Sequence, residues 1–281
     1  MKHMTLAEIT RACRGVYHGD SALAAREVSS VTIDSRKVVK GSLFIAIKGA
    51  RVDGHDLIPQ TMESGALCAL SERDLGDAPF PYILVDSCRQ ALKDLAEHYR
   101  RSLDIRVVGI SGSVGKTSTK EMIASVLSQR YRILKTEGNF NNEIGVPLTL
   151  LRIRGEHELA VVEMGISDFG EMHRLSKMAR PDVCVMTNIG QSHLNNLKDR
   201  DGILQAKSEI FDYMAVDGEI CLNGEDDKLS ALREIGGHKP HFFGLGSSPV
   251  QEVAAVDIRG KGLWGSDATL VMAPAGTARE D

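Results

Sequence analysis

The chain has 281 residues, 26% of them charged and 42% hydrophobic, with a formal net charge of −4. That length suits one large or two ordinary domains, and the composition is globular, which excludes disordered, collagen-like and coiled-coil chains. The weak negative charge excludes a nucleic-acid or membrane-surface binder that works by bulk positive charge, so any anion must be held by a local site.

Cys13, Cys68, Cys88, Cys184 and Cys221 contain no C-x-x-C pair and are expected to be reduced, inert thiols. The N-terminal Met-Lys-His-Met-Thr-Leu lacks the apolar stretch of a signal peptide. No apolar run approaches the ~18 residues of a membrane span, so a cytoplasmic chain is expected.

In chain order, a short helix is expected over 5–13 and strands over 31–33 and 43–47. Residues 55–64 read as helical and close at Gly65, a C-cap signal. Two short buried strands follow, 66–70 and 82–85, separated by a polar stretch holding Pro79 and Pro81. Ser87 opens a helix to about Ser102, with Ala91, Leu92, Leu95, Ala96 and Tyr99 on one face. From Asp104 strands and helices alternate. Strands are expected at 105–110, 131–134, 159–164, 183–186 and 219–222, and helices at 116–129, near Pro147, from Asp168 to Pro181 and over 200–213. Asp168 with Glu171 three residues on has the capping-box spacing. After Pro240 come short strands at 242–244, 253–258 and 268–272. The expected fold class is α/β: a small mixed α/β domain over 1–103, then a P-loop, doubly wound, mostly parallel sheet domain over 104–281.

Gly109-Ile-Ser-Gly112-Ser113-Val-Gly115-Lys116-Thr117 follows a buried apolar run and opens a helix. Glycines let backbone N–H groups converge on phosphate oxygens, and the helix N-terminus adds positive potential. Lys116 supplies a mobile charge for the outer phosphates, and the Thr117 hydroxyl can ligate Mg²⁺. The strict G-x-x-x-x-G-K-[ST] pattern is not met, because Ile110 stands where its first glycine belongs. A dinucleotide fingerprint fits worse, having no use for the Gly-Lys-Thr ending.

A nucleotide site also needs carboxylate for Mg²⁺ at a neighbouring strand tip. Glu163 ends the apolar run Leu159-Ala-Val-Val, where an unpaired charge would be costly, so a metal or a structural base should accompany it. His193, in Thr187-Asn188-Ile-Gly190-Gln-Ser-His193, follows the next strand; on spacing alone a structural role competes with a ligand role. Lys207 lies among apolar helix positions, where a snorkelling lysine is the competing reading.

Five segments together resemble the Mur ligases: Gly112-to-Lys120, Thr136-Glu-Gly138-Asn139-Phe-Asn141-Asn142-Glu-Ile-Gly145-Val-Pro147, Glu163-Met-Gly165, Thr187-to-His193 and Ala206-Lys207-Ser-Glu-Ile-Phe. Asp34-Ser35-Arg36, Gly41-Ser-Leu-Phe-Ile-Ala, Lys48-Gly49 and Asp53-Gly54-His55-Asp56 are similar to that family's UDP-sugar domain. Within the family the likeness is greatest to the branch that adds D-alanyl-D-alanine to UDP-N-acetylmuramoyl-tripeptide. The resemblance implies ATP-driven amide synthesis through an acyl phosphate, in cell-wall precursor synthesis, with ATP and Mg²⁺ as cofactors. It implies that Gly112, Ser113, Gly115, Lys116, Thr117 and Ser118 hold ATP, with Asn139 and Asn142 near its phosphates. Thr117, Glu163, His193 and Lys207 would serve the metals, Lys207 as a carbamate, and Lys116, Lys207 and His193 would form the catalytic set. Ser35, Arg36, Lys48 and Gly49 would contribute to the UDP-sugar pocket. Residues 1–103 would bind the precursor and 104–281 would form an incomplete ATP-binding domain, with the family's third domain absent. On that expectation the polypeptide as given binds precursor or nucleotide but does not ligate at a useful rate. A monomer with no nucleic-acid or membrane partner is expected. The open alternatives are another ligase step that adds a diamino acid, a folylpolyglutamate synthase, a non-catalytic UDP-sugar or nucleotide-binding module, and, least well, a GTPase.

Overall fold

The structure is a computed structural model that describes residue 1 and residues 4–192, 194–246 and 251–272. In chain order its elements are α1 (Leu6–Ala12), β1 (Val16–His18), β2 (Val31–Thr32), β3 (Leu43–Ile45), α2 (Ile58–Glu63), β4 (Cys68–Ser71), β5 (Tyr82–Leu84) and α3 (Cys88–Arg101). There follow β6 (Arg106–Ser111), α4 (Lys116–Leu127), β7 (Ile133–Lys135), α5 (Gly145–Leu150), β8 (Leu159–Glu163), α6 (Glu171–Ala179) and β9 (Val183–Met186). The rest are α7 (Leu194–Leu197), α8 (Arg200–Ser208), β10 (Glu219–Asn223), β11 (His241–Leu245), β12 (Val253–Gly260) and β13 (Ser266–Met272). The chain forms two compact units: residues 1–105 with Arg130–Ala160, and Arg106–Gln129 with the described residues from Val161 on.

In the first unit, α1 starts at a reciprocal cap. Thr5 Oγ1 accepts from the Glu8 N–H at 3.2 Å, and a Glu8 carboxylate oxygen accepts from the Thr5 N–H at 3.0 Å. Ser87 caps α3 by accepting from the Gln90 N–H, and Ala91, Leu92, Leu95, Ala96 and Tyr99 are all buried, as their spacing predicts. Gly65 ends the helical stretch at φ +101°, a backbone state that favours glycine. The sheet runs β1-β5-β4-β3-β2, parallel except for β1. Its core gathers Phe44, Ala46, Ile58, Ala66, Ala69 and Tyr82.

In the second unit the strands run β13-β12-β11-β10-β9-β6-β8. The pairs β6–β9, β9–β10, β10–β11 and β11–β12 are parallel, and β13 returns antiparallel on β12. Parallel strands covered on both faces become uninterrupted apolar runs, which is what Val107, Val108, Ile110, Val161, Val162, Cys184 and Val185 supply. The chain enters β8 on one side of β6 and β9 on the other, so the order reverses around β6. Ligands of such sheets bind where the carboxyl ends of the strands meet at this reversal.

Two expectations are corrected, and one strand is added. The helix expected from Asp168 begins at Glu171, with Gly170 in left-handed backbone at its N-cap. Glu171 does reach back, but to the N–H groups of Ser167 at 2.6 Å and Asp168 at 3.3 Å. The stretch over 200–213 tightens to a 3-10 turn at Glu209–Phe211. β1 was absent from the sequence reading. Burial pushes the thiols of Cys13 and Cys88 up to about 12 and Cys221 to about 11, consistent with inert cysteines. Among the described residues no helix is long and apolar enough to cross a membrane.

Candidate active site

At the tip of β6 the chain turns through Gly112 (φ +143°) and Gly115 (φ +78°) into α4. Gly112 has no alternative: a Cβ there would lie 1.9 Å from Thr187 Oγ1. The turn is braced from the tip of β9. Thr187 Oγ1 donates to the Val114 carbonyl at 2.7 Å, and Asn188 Oδ1 accepts from the Val114 N–H at 3.0 Å. The Gly190 N–H donates to Ser113 Oγ at 2.9 Å, and the Ser113 N–H donates to the Asn188 carbonyl at 3.0 Å. These bonds fix a loop whose own sequence, two glycines and two small residues, would not hold one shape. Sequence reasoning gave the Thr187–Gly190 segment no such role; its signal was polar residues at the tip of an apolar strand.

Lys116 opens α4 and folds back, donating from Nζ to the Gly112 carbonyl at 2.8 Å and the Ser113 carbonyl at 3.3 Å. Burial lowers its pKa, and the Glu163 charge partly offsets that. The Thr117 hydroxyl donates to Glu163 Oε1 at 3.2 Å. Glu163 is buried at the tip of β8, and its Oε2 lies 3.6 Å from Nζ of Lys120, which is also buried. Lys120 closes one of the segments that resemble the Mur ligases, but the sequence alone assigns it no role.

Lys207, on α8, points the same way. Its Nζ donates to the Gly112 carbonyl at 3.1 Å, and burial, with Lys116 close by, lowers its pKa to about 8. Lys207 is thus a buried amine at the phosphate turn, not a snorkelling surface lysine.

Gly112, Ser113, Gly115, Lys116, Thr117, Glu163 and Lys207 therefore converge at the strand reversal. Ser118 is exposed on the first turn of α4. His193 lies outside the described residues. Asn139 and Asn142 belong to the first unit: Asn142 Oδ1 accepts from the N–H groups of Ile144 at 3.0 Å and Gly145 at 2.9 Å, fixing the start of α5. The Asn139 carbonyl accepts from the Asn141 N–H.

In the first unit Ser35 and Arg36 sit in a 3-10 turn, with Arg36 forked onto Asp34 at 2.9 and 2.8 Å. Lys48 and Gly49 occupy a second turn, closed by the Gly49 N–H on the Val52 carbonyl at 3.0 Å. A cavity of about 550 Å³ borders the first of these turns, lined among others by Val31, Asp34, Lys37, Phe140, Asn142 and Arg152.

The residues of the second unit fit a magnesium-bound nucleotide. Thr117 and Glu163 are hard oxygen donors side by side at a helix N-terminus, and the Ser111 hydroxyl just before the turn is buried with no hydrogen-bond partner among the described residues. Among the described residues no group of three or more His, Cys, Asp or Glu could hold a metal alone. Two protein oxygens suit an ion that keeps waters and shares phosphate oxygens.

Two family models match the chain, the Mur ligase middle domain over residues 110–261 and the Mur ligase family catalytic domain over residues 27–100. It is 45% identical over 204 residues to the UDP-N-acetylmuramoyl-tripeptide–D-alanyl-D-alanine ligase of Bacillus subtilis, covering 72% of this chain and 45% of that protein. A crystal structure of MurF from Acinetobacter baumannii superposes with a TM-score of 0.83 at 33% identity, covering 96% of this chain and 61% of that one. MurF ligase from Thermotoga maritima in complex with ADP gives 0.75 at 30% identity, covering 86% of this chain and 55% of that one. The chain spans about half the length of the curated relatives it matches. A Gly-rich turn opening a helix and braced from the tip of β9, in a chain matched by both family models, has one consistent origin: this chain belongs to the Mur ligase family.

Proposed function

We propose that the protein contributes the precursor-binding and ATP-binding parts of a ligase that joins D-alanyl-D-alanine to UDP-N-acetylmuramoyl-tripeptide at the expense of ATP. The observation that carries this is the convergence of Lys116, Thr117, Glu163 and Lys207 on the turn after β6, in a chain similar over most of its length to enzymes named for that reaction. The tripeptide carboxylate oxygen attacks the γ-phosphorus and ADP leaves. The D-alanyl-D-alanine amine then attacks the acyl carbon, phosphate leaves, and an amide remains.

In this reading the backbone N–H groups of Gly112–Gly115 wrap the phosphates, and Lys116 exchanges its carbonyl contacts for outer phosphate oxygens. Thr117 and Glu163 would hold Mg²⁺, which would supply charge neutralisation for phosphoryl transfer. Lys207 carries the carbamate: addition of CO₂ needs a neutral amine, and burial supplies one more readily than water does. His193 would serve the second metal, and Ser118 acts near the nucleotide. Ser35, Arg36, Lys48 and Gly49 serve the UDP-sugar, and the cavity beside Asp34 suits the precursor. The first unit takes the precursor and the second the nucleotide. The enzyme works in the cytoplasm as a monomer, without nucleic-acid or membrane partners.

The test is ADP formation by the protein in its full-length form. Release should need both UDP-N-acetylmuramoyl-tripeptide and D-alanyl-D-alanine, and a free diamino acid offered with the dipeptide precursor should not replace them. Release with the diamino acid instead would reassign the step.

A further inference from the structure

Lys120 is spent on something other than gripping phosphate. It lies on α4 three residues past Thr117 and four past Lys116, the spacing that puts all three on neighbouring rows of one helix side. Its side chain is fully buried, with Nζ 3.6 Å from Glu163 Oε2 and 3.2 Å from Oε1 of the half-exposed Glu121. The two oxygens of Glu163 are thereby divided, Oε1 facing the Thr117 hydroxyl and Oε2 facing a buried ammonium.

The charges around Glu163 matter as much as the contacts. Lys116 is near enough to feel the carboxylate, and Lys207 shares the Gly112 carbonyl with it. One buried carboxylate therefore lies beside Lys120 and within the electrostatic reach of Lys116. A divalent ion arriving alone would meet that positive charge with the Thr117 hydroxyl and the Glu163 carboxylate as its protein ligands. A triphosphate brings both the negative charge and the missing oxygens.

Resting on the reading of Glu163 as a metal ligand, we propose that Lys120 is a positioning residue that makes capture of a divalent metal by Glu163 conditional on nucleotide. Its ammonium neutralises and aims the carboxylate while the site is free of phosphate, so the metal binds with the nucleotide and not before it.

The experiment is Mn²⁺ binding followed by electron paramagnetic resonance at fixed pH, with and without an imido analogue of ATP. Melting temperatures are recorded on the same samples. The wild type should bind Mn²⁺ at least tenfold more tightly with the analogue than without it. In K120M, nucleotide-free Mn²⁺ binding should tighten about tenfold and Mn²⁺ alone should raise the melting temperature, while K120R behaves as wild type. Should K120M fold poorly because a buried carboxylate has lost its partner, K120M/E163Q should fold and Mn²⁺ alone should rescue K120M. Wild type that binds Mn²⁺ equally well without nucleotide, or K120M that gains neither affinity nor rescue, overturns the role of Lys120. E163Q that keeps nucleotide-dependent Mn²⁺ binding overturns the metal-ligand reading beneath it.

Discussion

Lys207 is a site residue whose chemistry its surroundings change. Its ordinary pKa of 10.5 falls to about 8 because the folded chain strips water from the ammonium and sets Lys116 beside it. Between those two values the unfolded chain holds the proton and the folded chain does not, so stability rises with pH across that window. Below about 8 the lysine is charged in both states, and the fold bears the full penalty of about 3 kcal/mol. Lys207→Met should remove that penalty. Urea midpoints measured from pH 7 to pH 10.5 should show the variant more stable near neutrality and the gap closing towards pH 10.5. Parallel curves for the two proteins would contradict it. The same residue shows what a sequence conceals. A lysine among apolar helix positions is compatible with snorkelling, and only the placement of β6 decides that its Nζ meets the Gly112 carbonyl. Lys120 is the stronger case, because Thr-Ser-Thr-Lys-Glu reads as the solvated side of a helix until Glu163 is set opposite it. Glu163 itself was legible, since a charge ending an apolar strand needs a partner wherever it lands.

Among the elements, α6 and α8 are joined through Glu209. One oxygen of its carboxylate accepts from the Gly170 N–H and the other from the His173 N–H, both at 3.0 Å, so it caps α6 from the turn that ends α8. A carboxylate at a helix N-terminus satisfies orphan donors and complements the dipole. Glu209→Ala should cost about 1–2 kcal/mol of stability, and Glu209→Gln less, as read from urea unfolding. An unchanged midpoint for the alanine variant would show that the cap contributes nothing. This cap was hidden from the sequence because its donor and acceptor elements lie far apart in the chain; local spacing pointed to Asp168 and Glu171 instead. The same limit explains β1. Val16–His18 is three residues long and pairs with β5, and without that partner nothing distinguishes it from a loop. The strands around the phosphate turn were legible, because burial on both faces writes itself as a continuous apolar run.

Across the whole molecule, a chain of net charge −4 gathers Lys116, Lys120 and Lys207 around one turn of the second unit. On the proposed reading, local placement and not bulk charge makes the anion site. The fold class, the Gly-rich turn after β6 and the charge that closes β8 were legible in the sequence. It could not show the bracing of that turn by Thr187 and Asn188, which depends on β9 running beside β6. The central claim is that this turn holds magnesium-bound ATP through Lys116, and titration calorimetry tests it most directly. The wild type should bind Mg-ATP, while Lys116→Ala, folded by circular dichroism, should bind roughly tenfold to a hundredfold more weakly, as expected for loss of a charged hydrogen bond worth about 1.5–3 kcal/mol. Equal affinity in the two proteins would place the nucleotide elsewhere and contradict the account.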